Sequence, residues 1–178
     1  MSSFATLWQA RYGCPPPQEL PDLAPILSHR SVRAYTPETL DWETKSALIA
    51  TAQSASTSSN LHLWSVVDVA DPDLRAKVNE HCSQQAQVTS APWFLVFCAD
   101  HHRLRSLAKE RGESADALAY MDYFLMGVVD ASLAAERLAV AAETLGYGVC
   151  YIGAIRNNPE AIAQLLRLPQ HCFSVFGL

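Results

Sequence analysis

The sequence predicts one domain in which helices cover both faces of a β-sheet. Its 178 residues, 49% of them hydrophobic, are enough to bury one sizeable core. Residues 92–99 are almost uninterruptedly apolar, and a strand of this kind is buried on both faces of its sheet. Residues 115–145 form the longest helical pattern, with apolar positions on more than one face. Together these features predict a covered sheet beside a long central helix.

The N-terminal third predicts two helices after an irregular start. Residues 1–20 end in a Cys-Pro-Pro-Pro run and predict a stiff, extended leader rather than a secondary-structure element. Residues 21–28 predict a short helix with proline in its first turn. Residues 41–52 predict a longer helix, because apolar side chains recur there at helical spacing.

The middle of the chain alternates strand and helix patterns. Residues 63–69 are rich in valine and predict a strand. Asp71 followed by Pro72 predicts the start of a helix, with a capping carboxylate and a proline at the first position. Residues 100–111 predict a charged, exposed helix. Ser114 is placed to cap the long helix and Gly146 to close it.

The C-terminal part predicts two strands around a short helix. Residues 148–155 form an apolar run with glycines at both ends, which predicts a strand. Residues 159–166 predict a helix, and residues 172–178 predict a final apolar strand. We find no internal repeat and no domain boundary.

Composition argues against several classes of protein. The net charge of −5 does not suit general binding to nucleic acid, which needs an extended basic face. Five widely spread cysteines without a Cys-x-x-Cys pair suggest neither a zinc site nor a disulfide framework. Residues 115–142 carry five charged residues and make a poor membrane span. Without a recognisable signal peptide, these features predict a cytoplasmic protein.

A basic loop between the first two predicted helices carries the clearest sign of a ligand. His29, Arg30, Ser31 and Arg33 place two guanidinium groups, an imidazole and a hydroxyl within five residues. Arginine offers a planar set of N–H donors and stays charged, which suits phosphate oxygens. The loop therefore predicts an anion site. Surface ion pairs with nearby carboxylates would give the same sequence pattern, so that alternative stays open.

A hydroxyl-rich run at residues 54–60 follows the helix at residues 41–52. Its composition is typical of a polar linker. However, the run contains neither glycine nor proline and lies directly between a helix and a strand. We therefore weigh a linker against an ordered loop whose hydroxyls contact a ligand.

Other catalytic signatures are missing from the sequence. It contains no Gly-x-Gly-x-x-Gly motif and no Walker loop, so recognition of phosphate would depend on arginine and hydroxyl donors. Neither a Ser-His-Asp set nor paired carboxylates are visible from spacing. Any catalysis would depend on a cofactor.

Four separated pieces, in order, resemble the oxygen-insensitive nitroreductases and flavin reductases, a family that binds FMN. They are residues 29–33 (His-Arg-Ser-Val-Arg), 56–59 (Ser-Thr-Ser-Ser), 127–130 with 141–143, and 151–158 (Tyr-Ile-Gly-Ala-Ile-Arg-Asn-Asn). A Leu-Pro-Gln-His turn at residues 168–171 is also similar. The likeness extends from residue 26 to residue 178 and is strongest to the larger, NADPH-preferring branch. It implies an α+β fold with three layers, α-β-α, and a mostly antiparallel central sheet.

The resemblance also implies a set of FMN-binding residues. The phosphate and the adjoining flavin edge would contact His29, Arg30, Ser31 and Arg33. The phosphate and the ribityl chain would contact Ser56, Thr57 and Ser58, and the pyrimidine edge would contact Gln85. One face of the flavin would lie along Tyr151, Ile152, Gly153 and Ala154. Alanine at position 154 replaces the second glycine of the family, which puts the close approach to the ring in question. Arg33 would also support the negative charge of reduced flavin. No side chain is implied as a nucleophile.

The resemblance implies a function in hydride transfer from NADPH or NADH through FMN to nitroaromatic, quinone or flavin acceptors. Because the helix at residues 115–145 is apolar over more of its circumference than one core contact requires, we also predict a homodimer with this helix near the interface and the flavin between subunits. We expect residues 1–20 to form a leader and residues 21–178 the FMN-binding domain. Family members continue beyond the Phe-Gly-Leu strand with a segment that carries a Lys-x-Arg pair, so we expect this domain to be truncated relative to them. Two alternatives are a non-catalytic flavin- or nucleotide-binding module and an interaction domain whose basic loop makes only salt bridges.

Overall fold

Three antiparallel strands form the centre of the protein. The structure is a computed structural model that describes residues 3–17 and 23–178. They are β1 (Trp64–Asp68), β2 (Leu95–Asp100) and β3 (Cys172–Gly177), in the spatial order β1-β2-β3. All six residues of β2 are buried. This confirms the predicted strand with two covered faces.

The described residues also form eight α-helices and three 3₁₀ turns. The helices are α1 (Phe4–Tyr12), α2 (Ala24–Leu27), α3 (Trp42–Gln53), α4 (Pro72–His81), α5 (Ala86–Ser90), α6 (His102–Arg111), α7 (Met121–Thr144) and α8 (Pro159–Leu165). The 3₁₀ turns are Ser58–Asn60, Asp116–Ala119 and Gly153–Arg156. None of the helices in the described part of the chain is long and apolar enough to cross a membrane.

Side chains of β2 alternate between two hydrophobic layers. Leu95, Phe97 and Ala99 pack with the layer built by α3 and α7. Val96 and Cys98 pack on the opposite face, with residues of α4, α5 and α8. The period-two alternation of a strand thus gives the predicted three layers, with helices above and below the sheet.

Small residues let α7 lie close to the sheet. A Cβ at Gly127 would come within 3.0 Å of the Ala99 methyl and 3.1 Å of His101 Cε1. Ala131, Ala134 and Ala135 are fully buried on the same helix. Since bulkier side chains would push the helix away, this run explains the close packing expected from the sequence.

The long helix begins later than its sequence pattern predicts. Tyr120 has an extended backbone, with ψ of 149°, and separates α7 from the 3₁₀ turn Asp116–Ala119. The Ser114 hydroxyl accepts a hydrogen bond from Asp116 N at 3.1 Å, so it caps the turn and not α7. Gly146 follows the helix with φ of 89°, as predicted for a closing glycine.

The strand predicted at residues 148–155 is wrong. Only Ile152 pairs with β3, through two hydrogen bonds with Gly177, and the 3₁₀ turn Gly153–Arg156 follows at once. A longer antiparallel ladder would bond Ala154 N to Val175 O. The Arg156 side chain donates to that carbonyl at 2.5 Å, which ends the pairing.

The extended leader predicted for residues 1–20 is wrong over its first half. Helix α1 is capped by Ser3, whose hydroxyl accepts from Thr6 N at 3.2 Å, and ends at Gly13 with φ of 73°. The prolines at residues 15–17 restrict only the backbone that follows α1, so they do not prevent a helix before them. Of the helix predicted at residues 21–28, residues 21–22 lie outside the described residues and α2 accounts for four of the others.

Cysteine reactivity provides a test of the core. Cys14 is exposed, whereas Cys82 is fully buried and burial raises its pKa to about 11. A thiol reagent at neutral pH should therefore label Cys14 rapidly and Cys82 only as the protein unfolds. The pKa of Cys82 in the folded protein lies above the ordinary value of 9.0. Its contribution to the free energy of unfolding is therefore fully present below pH 9.0 and is lost as the pH rises through about 11. Labelling of Cys82 as fast as Cys14, followed by mass spectrometry, would contradict this core.

Candidate functional site

The basic loop is fixed at several points to the rest of the domain. Val32 N donates to Val149 O at 2.9 Å, and the Tyr35 hydroxyl donates to Val32 O at 2.7 Å. His29 Nδ1 lies 2.7 Å from Glu143 Oε1 on α7. The loop is therefore held against α7 and the segment after it, and the imidazole is already paired with a carboxylate.

The two arginines of this loop are exposed and have no side-chain partner among the described residues. Arg30, Ser31 and Arg33 are exposed, and their side chains make no hydrogen bond with any described residue. Within residues 3–17 and 23–178, the one salt bridge is His29 with Glu143. Burial raises the pKa of Tyr35, and the charge of nearby Arg33 acts against that rise. The described residues thus form no ion pair with either arginine, in contrast to the alternative of surface ion pairs.

The hydroxyl-rich run is an ordered loop built on α7. Ser58–Asn60 form one 3₁₀ turn. Asp130 of α7 accepts hydrogen bonds from Thr57 Oγ1 at 2.6 Å, Ser58 N at 2.8 Å and Leu63 N at 3.0 Å. These bonds attach the loop to the central helix, which argues against a linker.

Thr57 ties the hydroxyl-rich run to α7 through both its donor and its acceptor. Its single hydroxyl proton goes to Asp130, and its oxygen accepts from His62 N at 3.0 Å. In this arrangement it holds the loop, and contact with a ligand stays a prediction that would require its hydroxyl proton to leave Asp130. The hydroxyls of Ser56 and Ser58 make no hydrogen bond with the described residues.

Gln85 lies at the start of α5 with both ends of its amide engaged. Its Nε2 donates to Cys82 O at 3.1 Å, and its Oε1 accepts from Gln87 Nε2 at 2.6 Å. These local bonds fix its position in the turn between α4 and α5. Contact with a flavin edge stays a prediction for this residue.

The segment at residues 151–154 lies between α7 and β3. The Tyr151 hydroxyl donates to Glu136 Oε2 at 3.1 Å, and burial, followed by the Glu136 charge, raises the pKa of Tyr151. A Cβ at Gly153 would lie 3.1 Å from Arg156 Nη2. Ala154 packs against the core and is not among the residues with positive φ. Its methyl group is therefore accommodated without backbone strain.

Three carboxylates of α7 bring these segments together, and none of them was predicted to have a role in the site. Glu143 contacts the basic loop, Glu136 contacts Tyr151, and Asp130 holds the hydroxyl loop. Asp130 and Glu143 are thirteen positions apart, about 20 Å along a helix. Asp130 and Glu143 occur inside the resembling motifs and Glu136 lies between them, but only the folded chain shows which segment each one meets.

One cavity, of about 470 Å³, lies mostly outside the predicted site. Among the predicted residues it is lined by Ile152 alone, and Glu38 is the charged residue in its wall. A second cavity of about 380 Å³ adjoins His101, Phe124 and Phe173. Neither cavity is lined by an arginine. Within the described chain, no group of histidine, cysteine and acidic side chains is arranged to hold a metal.

Known proteins similar to this chain include flavin reductases and nitroreductases. FMN reductase (NADPH) from Bacillus subtilis (strain 168) is 39% identical over 154 residues, which cover 86% of this chain and 62% of that protein. Oxygen-insensitive NADPH nitroreductase from Salmonella typhimurium is 37% identical over 158 residues, covering 89% of this chain and 64% of that protein. The chain thus spans less than two thirds of the length of these relatives.

Solved structures and a family model agree with this comparison. The NfrA1 nitroreductase from B. subtilis superposes with a TM-score of 0.86 at 38% identity, over 87% of this chain and 63% of that one. NADPH:FMN oxidoreductase from Vibrio harveyi, complexed with NAD+, gives a TM-score of 0.81 at 35% identity, over 87% and 65%. The model of the Nitroreductase family matches residues 26–178. The α+β fold predicted from the resemblance is confirmed, and the chain belongs to the nitroreductase family.

Proposed function

We propose that this chain is the FMN-binding part of an oxidoreductase that passes hydride from NADPH or NADH to a nitroaromatic, quinone or flavin acceptor. The observation that carries the proposal is the pair Arg30 and Arg33, which are unpaired among the described residues on a loop fixed to α7. Unpaired guanidinium groups on a fixed loop are suited to a phosphate. The names of the relatives, FMN reductase and NADPH nitroreductase, support the same cofactor and donor.

The donors in the chain fit the chemistry of FMN. Arg30, Ser31 and Arg33 would bind the phosphate. The hydroxyls of Ser56 and Ser58, which have no partner among the described residues, suit the ribityl chain. Bound FMN would supply the hydride chemistry, for which the chain has no side chain of its own. Arg33 would also stabilise the negative edge of the reduced ring.

Residues 151–154 and Gln85 complete the proposed site. The backbone of residues 151–154 would lie along one face of the ring. The tie from Tyr151 to Glu136 supports this, because it orients that segment towards α7. Gln85 would meet the pyrimidine edge, but its amide would have to exchange at least one of its present local bonds for that contact.

We also propose a cytoplasmic homodimer in which α7 lies at the interface. Met121, Leu125, Val129 and Leu133 recur at every fourth position of α7 and are between 43% and 69% exposed. An apolar helical stripe of this kind favours burial against a partner. Both proposed cofactor loops contact α7, so an interface along this helix would place loops of both subunits beside the flavin.

Two measurements on the 178-residue chain test the proposed activity. Titration with FMN should quench flavin fluorescence and give yellow protein. The flavin-loaded protein should then oxidise NADPH or NADH when a quinone or nitroaromatic compound is added. Binding of FMN without NAD(P)H oxidation would favour the non-catalytic binding module, and no binding of FMN would overturn the proposed cofactor.

A further inference from the structure

Asp130 is a buried carboxylate whose hydrogen bonds all go to one loop. We propose that Asp130 is a positioning residue, which fixes residues 56–60 in the shape that presents their free serine hydroxyls to the flavin. This inference depends on the proposed function, since it assigns a role within the same site. Asp130 would not touch the flavin itself and would act through Thr57 and the loop backbone.

The burial of Asp130 requires the bonds that it makes. The residue is 1% exposed, and within residues 3–17 and 23–178 no lysine, arginine or histidine pairs with its carboxylate. A buried charge is strongly disfavoured unless hydrogen bonds satisfy it. Both oxygens accept, and the three donors lie in the Thr57, Ser58 and Leu63 residues of the same loop. The carboxylate and the loop therefore stabilise each other.

The loop has a backbone shape that it would not keep without such support. Ser59, Asn60 and His62 have φ values of 49°, 56° and 49°, in the left-handed region that disfavours residues other than glycine. Residues in this region persist only where the surrounding structure imposes it. Thr57 closes the arrangement, because its hydroxyl joins Asp130 to His62 N.

The bonds divide the loop into groups that hold it and groups that are free. Thr57 Oγ1 and the amides of Ser58 and Leu63 are bonded to Asp130. The hydroxyls of Ser56, Ser58 and Ser59 have no partner among the described residues. Fixing a donor set in advance raises affinity, because less freedom is lost on binding.

Asp130→Asn is the first test, because the amide nitrogen cannot accept a hydrogen bond. In the flavin-free protein, the amides of Ser58 and Leu63 should exchange hydrogen at least about tenfold faster. The dissociation constant for FMN should rise about tenfold. Riboflavin, which lacks the phosphate, serves as a second probe. A loss shared by both flavins assigns the serines to the ribityl chain, and a loss confined to FMN assigns them to the phosphate.

Thr57 variants keep the test valid if Asp130→Asn does not fold. Thr57→Val removes the hydroxyl at nearly constant shape and should weaken FMN binding similarly. Thr57→Ser keeps the hydroxyl and should restore binding to near the wild-type value. Asp100→Asn is the matched control, since Asp100 is also buried but accepts from Ser65 Oγ and the Arg103 amide, outside residues 56–60. It should lower the melting temperature and leave FMN affinity unchanged.

The outcomes separate this inference from the proposed function. If Asp130→Asn and Thr57→Val melt earlier but bind FMN like Asp100→Asn, the positioning role is overturned. If the amides of Ser58 and Leu63 exchange as in the wild type, Asp130 does not fix the loop. If the wild type itself does not bind FMN, the proposed function fails and the flavin part of this inference fails with it. Faster exchange in that case would still support a structural tie from Asp130 to the loop.

Discussion

Replacing Arg33 with alanine should weaken FMN binding at least tenfold and leave the melting temperature of the flavin-free protein nearly unchanged. A hydrogen bond to a charged group contributes about 1.5 to 3 kcal/mol, which corresponds to roughly ten- to a hundred-fold in affinity. Arg33 is exposed and makes no hydrogen bond or ion pair with the described residues, so its removal breaks no contact of the fold. A surface ion pair would behave in the opposite way.

The comparison with Arg33→Lys makes this test more specific. Lysine keeps the charge but lacks the planar set of donors, so it should recover only part of the lost affinity. Arg111→Ala, at the end of α6, is a suitable control because its side chain is also exposed. FMN titration and melting of the flavin-free proteins provide the two readouts. Equal flavin affinity in the wild type and both Arg33 variants would remove Arg33 from the site.

Local sequence patterns were sufficient for much of the fold. The apolar run that becomes β2 and the Asp-Pro start of α4 depend on burial and capping, which neighbouring residues determine. The break at Tyr120 and the 3₁₀ turn after Ile152 depend on distant contacts. In the second case, the Arg156 side chain takes a carbonyl of β3 that strand pairing would have used. Periodicity carries no information about such competition.

The candidate site was predictable in composition but not in its connections. The residue types of the basic loop indicated an anion, and Arg30 and Arg33 have no partner among the described residues. Thr57 was expected to meet the ligand because it lies in a hydroxyl run, and its proton is instead directed to Asp130. That bond joins residues 73 positions apart. A single sequence does not encode such a pairing in any local pattern.

A charge in the apolar stripe of α7 should separate the proposed dimer and remove most of its flavin. Val129 lies between Leu125 and Leu133 in the stripe and is 47% exposed, so Val129→Lys leaves the fold of one subunit largely intact. In a two-fold dimer each substitution occurs twice at the same interface. Burial of the two lysine charges at the interface would make the free energy of association less favourable by several kcal/mol, which is enough to favour monomers.

Loss of the dimer should also lower the affinity for FMN, because the proposed flavin site lies between the subunits. Light scattering at a fixed concentration measures the first effect and FMN titration the second; we expect at least about a tenfold weaker affinity. Trp42→Lys is the control, since Trp42 is 77% exposed on α3 and outside the stripe. It should leave both measurements unchanged, because an exposed side chain away from the interface gains and loses little contact with water. A wild-type monomer that carries a full complement of FMN would refute the interface, since one subunit would then hold the whole site.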